Sequence, residues 1–201
     1  KLDMTGSVAN IDFLSTAGLK TLQLGAGNDR VSINQHLDFV DSGLGSDTII
    51  LGSSYSQKEV KINLEEGSIS FQNPGNEDVR ISGFENVESN VNVPVYLVGD
   101  ANDNIFVAGT GADNLYGAGG NDILVGGSNS DVFIFTEESV SAGMDRILDF
   151  QTGIGGDVIK INFSGNLTST GLSFRKIDLS IETKKLLGNN SDILLLTGST
   201  F

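Results

Sequence analysis

The chain has 201 residues, with 26 acidic against 12 basic side chains and a formal net charge of −14. This charge disfavours binding to nucleic-acid phosphates and anionic membranes and favours binding to cations. The lack of cysteine excludes disulfides and thiol chemistry, and no apolar run reaches the roughly 18 residues of a membrane-spanning helix.

Residues 1–51 carry an apolar residue at every ninth position, namely Met4, Phe13, Leu22, Val31, Val40 and Ile49. Two glycine-containing turns, Gly25–Asp29 and Gly43–Asp47, fall in the same phase, 18 residues apart. After each turn, apolar and polar residues alternate, which is the period of a strand with one buried face. We therefore predict degenerate N-terminal β-solenoid coils over residues 1–51.

Residues 52–97 predict a connecting β segment between two repeat blocks. Apolar residues alternate with polar ones over Val60–Leu64 and Ile69–Phe71, and Glu65–Gly67 separates the two runs. This arrangement predicts two short strands joined by a tight turn.

Residues 98–135 contain four glycine-rich turns that each end in an aspartate. The aspartates are Asp103, Asp113, Asp122 and Asp131, and the steps between them are 10, 9 and 9 residues. An apolar residue lies two positions after each of them, at Ile105, Leu115, Leu124 and Phe133. The pattern predicts a repeated unit of a turn, a carboxylate and a short strand.

Units of this length cannot bury a core alone and must stack on one another. Two units would form one 18-residue coil with two strands, so we predict an all-β fold, a parallel β-roll or β-solenoid. Successive turns would then alternate between two edges, with Asp103 and Asp122 on one edge and Asp113 and Asp131 on the other. In the first block Lys20 takes the aspartate position of one edge, which leaves a single metal-competent edge.

The repeat stops at residue 136, and residues 136–201 predict a non-repeating C-terminal β cap, as solenoids require at their ends. Ile181–Leu187 is a modest helix candidate in this region. Asp192–Leu196, acidic and then apolar, has the character of an export signal near the C-terminus.

Calcium is the cofactor that the turns predict, because Ca²⁺ takes about six to eight oxygen ligands in flexible geometry. Glycine lets a turn direct its carbonyls inward, and two stacked turns could surround one ion. Zinc is disfavoured by the single histidine, His36, and the lack of cysteine. Turn formation alone would also explain each Gly-Asn-Asp cluster, but it does not require an aspartate at the same position every time. The predicted metal-site residues are Gly25, Gly27, Asp29, Gly43, Gly45, Asp47, Gly99, Asp103, Gly109, Gly111, Asp113, Gly117, Gly119, Asp122, Gly126 and Asp131.

Residues 98–135 resemble the nonapeptide Gly-Gly-x-Gly-x-Asp-x-U-x of the RTX (repeats-in-toxin) family, where U is a large apolar residue. Gly25–Ser32 and Gly43–Ile50 resemble isolated copies, and Ile81–Val87 resembles the stretch that often precedes such arrays. Asp145–Phe150, followed by Gly156–Ile161, resembles the block that commonly follows them. The resemblance implies a parallel β-roll with Ca²⁺ between turns. It also implies a Gram-negative-type extracellular protein that a type I secretion apparatus exports through an uncleaved C-terminal signal.

The chain departs from this nonapeptide at four alanine or asparagine positions, which are Ala101, Ala108, Ala118 and Asn129. Asparagine tolerates the left-handed backbone region, so its substitution is mild. We expect Ala101 to be costlier than Asn129 and to weaken the site at Asp103.

Enzyme signatures are absent from the sequence: it has no His-Glu-x-x-His, no Gly-x-Ser-x-Gly and no phosphate-binding loop. Residues 100–104 resemble the start of an EF-hand loop but lack its glycine and its final glutamate. We therefore expect a non-enzymatic region.

Two functions remain open. The first is a structural role in a surface-layer protein or adhesin, with other copies of the chain or cell-surface components as partners. The alternative is the C-terminal calcium-binding and secretion module of an extracellular protease, lipase or polysaccharide-modifying enzyme. Both place the protein outside the cell or at its surface, without contact to nucleic acid and without membrane insertion.

Overall fold

A computed structural model describes residues 1–14, 18–33, 37–52, 59–72, 78–136 and 143–162, together with the backbone of residues 172–174 and 196–198. Every regular element in these ranges is a strand, and none is a helix that could span a membrane. The strands are β1 (Leu2–Asp3), β2 (Asp12–Leu14), β3 (Thr21–Gln23), β4 (Arg30–Ile33), β5 (Phe39–Asp41), β6 (Thr48–Leu51), β7 (Val60–Asn63), β8 (Ser68–Phe71), β9 (Val79–Ser82), β10 (Asn86–Ser89), β11 (Val95–Val98), β12 (Ile105–Val107), β13 (Asn114–Tyr116), β14 (Ile123–Val125), β15 (Val132–Thr136), β16 (Arg146–Ile147), β17 (Val158–Asn162), β18 (Leu172–Phe174) and β19 (Leu196–Gly198).

The strands form two large sheets that together make a parallel β-roll, as the sequence predicts. The first sheet has the order β1-β3-β5-β9-β8-β7-β11-β13-β15-β17, and the second has the order β16-β14-β12-β10-β6-β4-β2. Within the repeat blocks each strand pairs in parallel with the strand 18 residues further on, as Leu22 does with Val40 and Val31 with Ile49. The chain therefore passes once through each sheet per coil.

The core lies between the sheets and is built from one or two apolar residues per strand, as with Val31 and Ile33 in β4. Leu22, Val31, Val40, Ile49 and Leu124 are each fully buried. Because Leu22, Val31, Val40 and Ile49 lie at the nine-residue spacing, each coil of the first block adds at least one inward side chain from each sheet. Burial of such a side chain contributes about 1.5–3 kcal/mol, and this stabilises strands of only two to five residues.

The connecting segment contains the predicted hairpin, because β7 and β8 pair antiparallel around the turn at residues 64–67. The hairpin and β9 are inserted into the first sheet between β5 and β11. In the second sheet β10 pairs in parallel with both β6 and β12. Both repeat blocks therefore share one continuous core.

Beyond the last repeat, β16 and β17 extend the two sheets by one strand each, and β18 and β19 form a separate antiparallel pair. The described strands agree with a non-repeating β cap, and its bounds at residues 136–201 stay a prediction. The helix candidate at residues 181–187, the export-signal candidate at residues 192–195 and His36 lie outside the described residues.

Candidate metal centre

Short turns connect the two sheets, and the last residue of each turn stands immediately before a strand. We call this position the pre-strand position. Strand pairing places the pre-strand residues in two columns, one at each edge of the roll. The Asp29 column, before strands of the second sheet, contains Asp29, Asp47, Glu85, Asn104, Asp122 and Asp145, and the Asp113 column, before strands of the first sheet, contains Asp113, Asp131 and Asp157.

Backbone hydrogen bonds hold the carboxylates of the Asp29 column between successive coils. The N–H of Ile11 donates to Asp29 Oδ1 at 2.8 Å, and the N–H of Asp29 donates to Asp47 Oδ1 at 2.7 Å. Further along, the N–H of Asn104 donates to Asp122 Oδ1 at 2.8 Å. Each aspartate thus reaches from its own turn to the turn of the preceding coil.

The Asp113 column repeats this arrangement at the opposite edge. Asp113 Oδ1 accepts from the N–H of Val95 at 2.9 Å, and Asp131 Oδ1 accepts from the N–H of Asp113 at 2.9 Å. Asp157 Oδ1 accepts in turn from the N–H of Asp131 at 3.0 Å. Asp113 and Asp131 therefore lie at one edge of the roll and Asp122 lies at the other, as predicted.

The second oxygen of these carboxylates has no such partner. Within the described part of the chain, Oδ2 is buried and makes no hydrogen bond in Asp29, Asp47, Asp113, Asp122 and Asp131. A buried carboxylate oxygen without a donor is strongly unfavourable unless a cation compensates it. Five aspartates in the same state at the same position therefore point to a cation.

Glycine is required where these carboxylates fold back onto their own turns. A Cβ atom on Gly117 would overlap Asp122 Oδ2, and a Cβ atom on Gly126 would overlap Asp131 Oδ2. Any larger residue would displace the carboxylate oxygen that lacks a partner. The first glycine of these turns is thus explained by the carboxylate as well as by backbone conformation.

Burial raises the pKa of several carboxyls in the columns. Desolvation is the main cause, and neighbouring carboxylates add to it: the pKa of Asp113 rises to about 7 and that of Asp131 to about 6. The pKa values of Asp47 and Glu85 are also raised, mainly by desolvation, as are those of Asp122 and its neighbour Asp145. In the absence of a cation, ionising these carboxyls within the fold is therefore unfavourable.

Asp103 lies on the predicted edge but not in the predicted position. Strand β12 pairs so that Phe106 is buried and Ile105 faces outward, which places Asn104 at the pre-strand position. Asp103 is exposed and accepts hydrogen bonds from the backbone N–H and the side-chain Nδ2 of Asn121, at 2.7 and 3.2 Å. The pre-strand residues of the four turns, at positions 104, 113, 122 and 131, are therefore nine residues apart. The ten-residue step in the sequence pattern arises because it was counted from Asp103 and not from Asn104.

The predicted glycines all lie in the turns that bear the two columns, at Gly25, Gly27, Gly43, Gly45, Gly99, Gly109, Gly111, Gly117, Gly119 and Gly126. The expectation for Ala101 is wrong. Positive φ among non-glycine residues of the described chain occurs at Ala118 (70°) and Asn129 (79°), not at Ala101. The strained alanine is therefore Ala118.

Four acidic residues of this region were not predicted as site residues. Glu85, Asp145 and Asp157 occupy pre-strand positions outside the repeats, and Asp149 accepts from the N–H groups of Gly126 and Gly127 at 3.0 and 2.6 Å. The sequence signal for the first three is an acidic residue two positions before an apolar one, as with Asp145 and Ile147. That signal is too short to stand out without the regular spacing.

At the opposite edge of the first block, the described pre-strand residues include no buried carboxylate. Lys20 and Asp38 occupy its pre-strand positions, and Lys20 Nζ pairs with Asp38 Oδ1 at 2.9 Å while both side chains remain largely exposed. The lysine ammonium compensates the Asp38 carboxylate there, and a single metal-competent edge in the first block stays a prediction.

Residues 21–49 and 98–133 match the family described as RTX calcium-binding nonapeptide repeat, in four copies. These segments are RTX repeats. They include Asp29, Asp47, Asp113, Asp122 and Asp131, the five aspartates with a buried oxygen that lacks a partner. No curated protein matches the chain.

The residues present fit the Ca²⁺ that RTX repeats bind. The available side-chain ligands are hard carboxylate oxygens, and the glycine-rich turns supply backbone carbonyls beside them. Among the described residues no three acidic or histidine side chains converge, so side chains alone cannot complete a coordination sphere. Carbonyl oxygens of two stacked turns are needed for the remainder, and the metal role of each individual residue stays a prediction.

Proposed function

We propose that this chain is the calcium-binding β-roll region of a secreted or cell-surface bacterial protein, and that it folds on extracellular Ca²⁺ after type I secretion. The observation that carries the proposal is the set of five buried aspartate oxygens without a partner. A chain that depended only on its apolar core would have no reason to bury these carboxylates in two aligned columns.

The aspartates would act as a folding switch. In calcium-poor cytosol their charges oppose stacking of the coils, and the chain stays open for export. Outside the cell, Ca²⁺ at millimolar concentration would neutralise the carboxylates and bind their oxygens. Dissociation constants of about 10⁻⁴–10⁻³ M are typical of extracellular calcium-binding modules. Metal binding then contributes directly to the free energy of folding.

A calcium titration followed by far-UV circular dichroism tests this proposal. We expect β structure and resistance to urea to increase with Ca²⁺, and to increase much less with Mg²⁺, which prefers rigid octahedral sites with bound water. Identical spectra and unfolding curves in calcium-stripped and calcium-containing buffer would refute it.

We further propose that the region is non-catalytic and serves a structural role in a surface-layer protein or adhesin at the surface of a Gram-negative-type bacterium. The absence of catalytic motifs from the sequence and the degenerate first block support this role. Light scattering with and without Ca²⁺ tests lattice assembly: calcium-dependent self-association is expected, and a strictly monomeric chain would exclude a surface lattice.

The alternative is the C-terminal module of an extracellular enzyme, which the same RTX repeats would equally serve. A zinc-protease or nucleophile motif in sequence upstream of Lys1 would decide for this alternative. Secretion itself is testable by fusing the region to a reporter and measuring export through a type I apparatus. Retention of the reporter in the cell would contradict the export role.

A further inference from the structure

Asn104 differs from the five column aspartates that have a buried oxygen without a partner in how its side chain is satisfied. It is fully buried at the pre-strand position, and both of its polar atoms have partners. Asn104 Oδ1 accepts from the N–H of Asp100 at 3.0 Å, while Nδ2 donates to the carbonyl oxygen of Glu85 at 3.0 Å and to Asp100 Oδ1 at 3.3 Å. Every polar atom of this side chain therefore has a partner within the protein.

The turn around Asn104 otherwise has the shape of the metal-type turns. A Cβ atom on Gly99 would overlap Asn104 Oδ1, just as one on Gly117 would overlap Asp122 Oδ2. Asn104 Oδ1 therefore takes the place of the aspartate oxygen that has no partner, but here the N–H of Asp100 satisfies it. The difference between the two turns lies in their hydrogen bonds and not in their path.

The amide also reverses the direction of the hydrogen bond to the preceding coil. Asp122 Oδ1 accepts a hydrogen bond from the backbone N–H of Asn104, which is the pre-strand residue of the preceding coil. The side-chain Nδ2 of Asn104 instead donates a hydrogen bond to the backbone carbonyl of Glu85, the pre-strand residue before it. The partial positive charge of the amide N–H group thus faces a backbone carbonyl oxygen, as a metal ion would. It compensates that oxygen and disfavours a cation beside it.

We propose that the Asn104 carboxamide replaces a calcium ion, so that turn 99–104 is metal-independent and divides the Asp29 column into two separate calcium-binding segments. Asp29, Asp47 and Glu85 form the first segment, and Asp122 and Asp145 form the second. This inference rests on the calcium-dependent folding proposed above. It assigns to the central coil a geometry that persists when calcium is removed.

Asn104→Asp tests the proposal against Asn102→Asp, which adds the same charge to an exposed position of the same turn. Calcium stoichiometry is measured on the full chain by isothermal titration calorimetry and native mass spectrometry. We expect Asn104→Asp to bind one more Ca²⁺ than the wild type and Asn102→Asp to bind the same number. Equal stoichiometry for both variants and the wild type would overturn the proposal.

A second measurement needs no variant and covers the case in which Asn104→Asp does not fold. Hydrogen exchange of the wild type is followed with and without Ca²⁺. We expect the amides of turn 99–104 to keep their protection on calcium removal, while those of turn 117–122 lose it. Equal loss in both turns would overturn the proposal. A wild type that binds no Ca²⁺ would instead overturn the proposed function.

Discussion

Asp113→Asn removes one buried charge from the Asp113 column and should change the pH dependence of folding in the absence of calcium. The structure raises the pKa of Asp113 from about 3.8 to about 7, mainly because the side chain is desolvated. One pKa unit corresponds to about 1.4 kcal/mol, so keeping this group ionised in the fold costs about 4 kcal/mol above pH 7. Asparagine is tolerated at a pre-strand position, as Asn104 shows.

The direction follows from proton binding. Because its pKa is higher in the fold than in the unfolded chain, Asp113 binds more protons when folded, and its contribution to stability is lost as pH rises from about 4 through 7. The wild-type penalty is about 2 kcal/mol at pH 5 and about 4 kcal/mol at pH 8. The stability gain of Asp113→Asn over the wild type should therefore grow by about 2–3 kcal/mol between these pH values.

Urea unfolding in calcium-stripped buffer at pH 5, 6.5 and 8, followed by circular dichroism, measures this gain. Asp38→Asn is the matched control, because Asp38 holds the equivalent position in the first block but is exposed and paired with Lys20. At pH 8 we expect the stability gain of Asp113→Asn to exceed that of Asp38→Asn. In excess calcium the order should reverse, with Asp113→Asn less stable than the wild type. Parallel pH profiles for the two variants would refute burial as the cause.

Further predictions concern individual positions. Asp122→Asn should weaken calcium binding at least tenfold, about 1.4 kcal/mol. Asp103→Asn should have little effect, because an amide oxygen can still accept the hydrogen bonds from Asn121. Calorimetric titration distinguishes the two variants, and equal effects would contradict the assigned register. Glu85→Gln should also lower calcium affinity, since it removes the charge beside Asp47, while Glu88→Gln on the outer face should not. Ala118→Gly should raise stability by about 1 kcal/mol in urea unfolding, because it relieves an alanine at positive φ, and a lower midpoint would contradict that strain.

The two-sheet roll could be predicted from sequence because its information is local and repeated. Apolar residues such as Leu22, Val31 and Val40 recur at the spacing of one strand plus one turn, and glycine and aspartate recur in phase with them. A repeat of this kind has a single way to bury its apolar face, which is to stack on its neighbours. The hairpin of β7 and β8 could also be predicted from the sequence, because alternating apolar residues and a tight turn specify it locally.

The pre-strand position of Asn104 could not be predicted from the sequence. Ile105, Phe106 and Val107 are all apolar, so alternation does not indicate which of them points inward. Pairing of β12 with β10 and β14 decides that Phe106 is buried, and this moves the pre-strand position from Asp103 to Asn104. A shift of one residue exchanges the two faces of a strand, and only neighbouring strands can settle it.

The sequence by itself determined the class of fold, the use of two edges and the nature of the ligand, because short-range periodicity and residue chemistry suffice for these. The tertiary structure alone decided which acids complete the columns. Glu85, Asp145 and Asp157 reach their positions through connections of 38, 23 and 26 residues from the preceding pre-strand acid, and no fixed period marks them. Their place depends on how distant strands pair, which is a property of the stacked coils and not of any one segment.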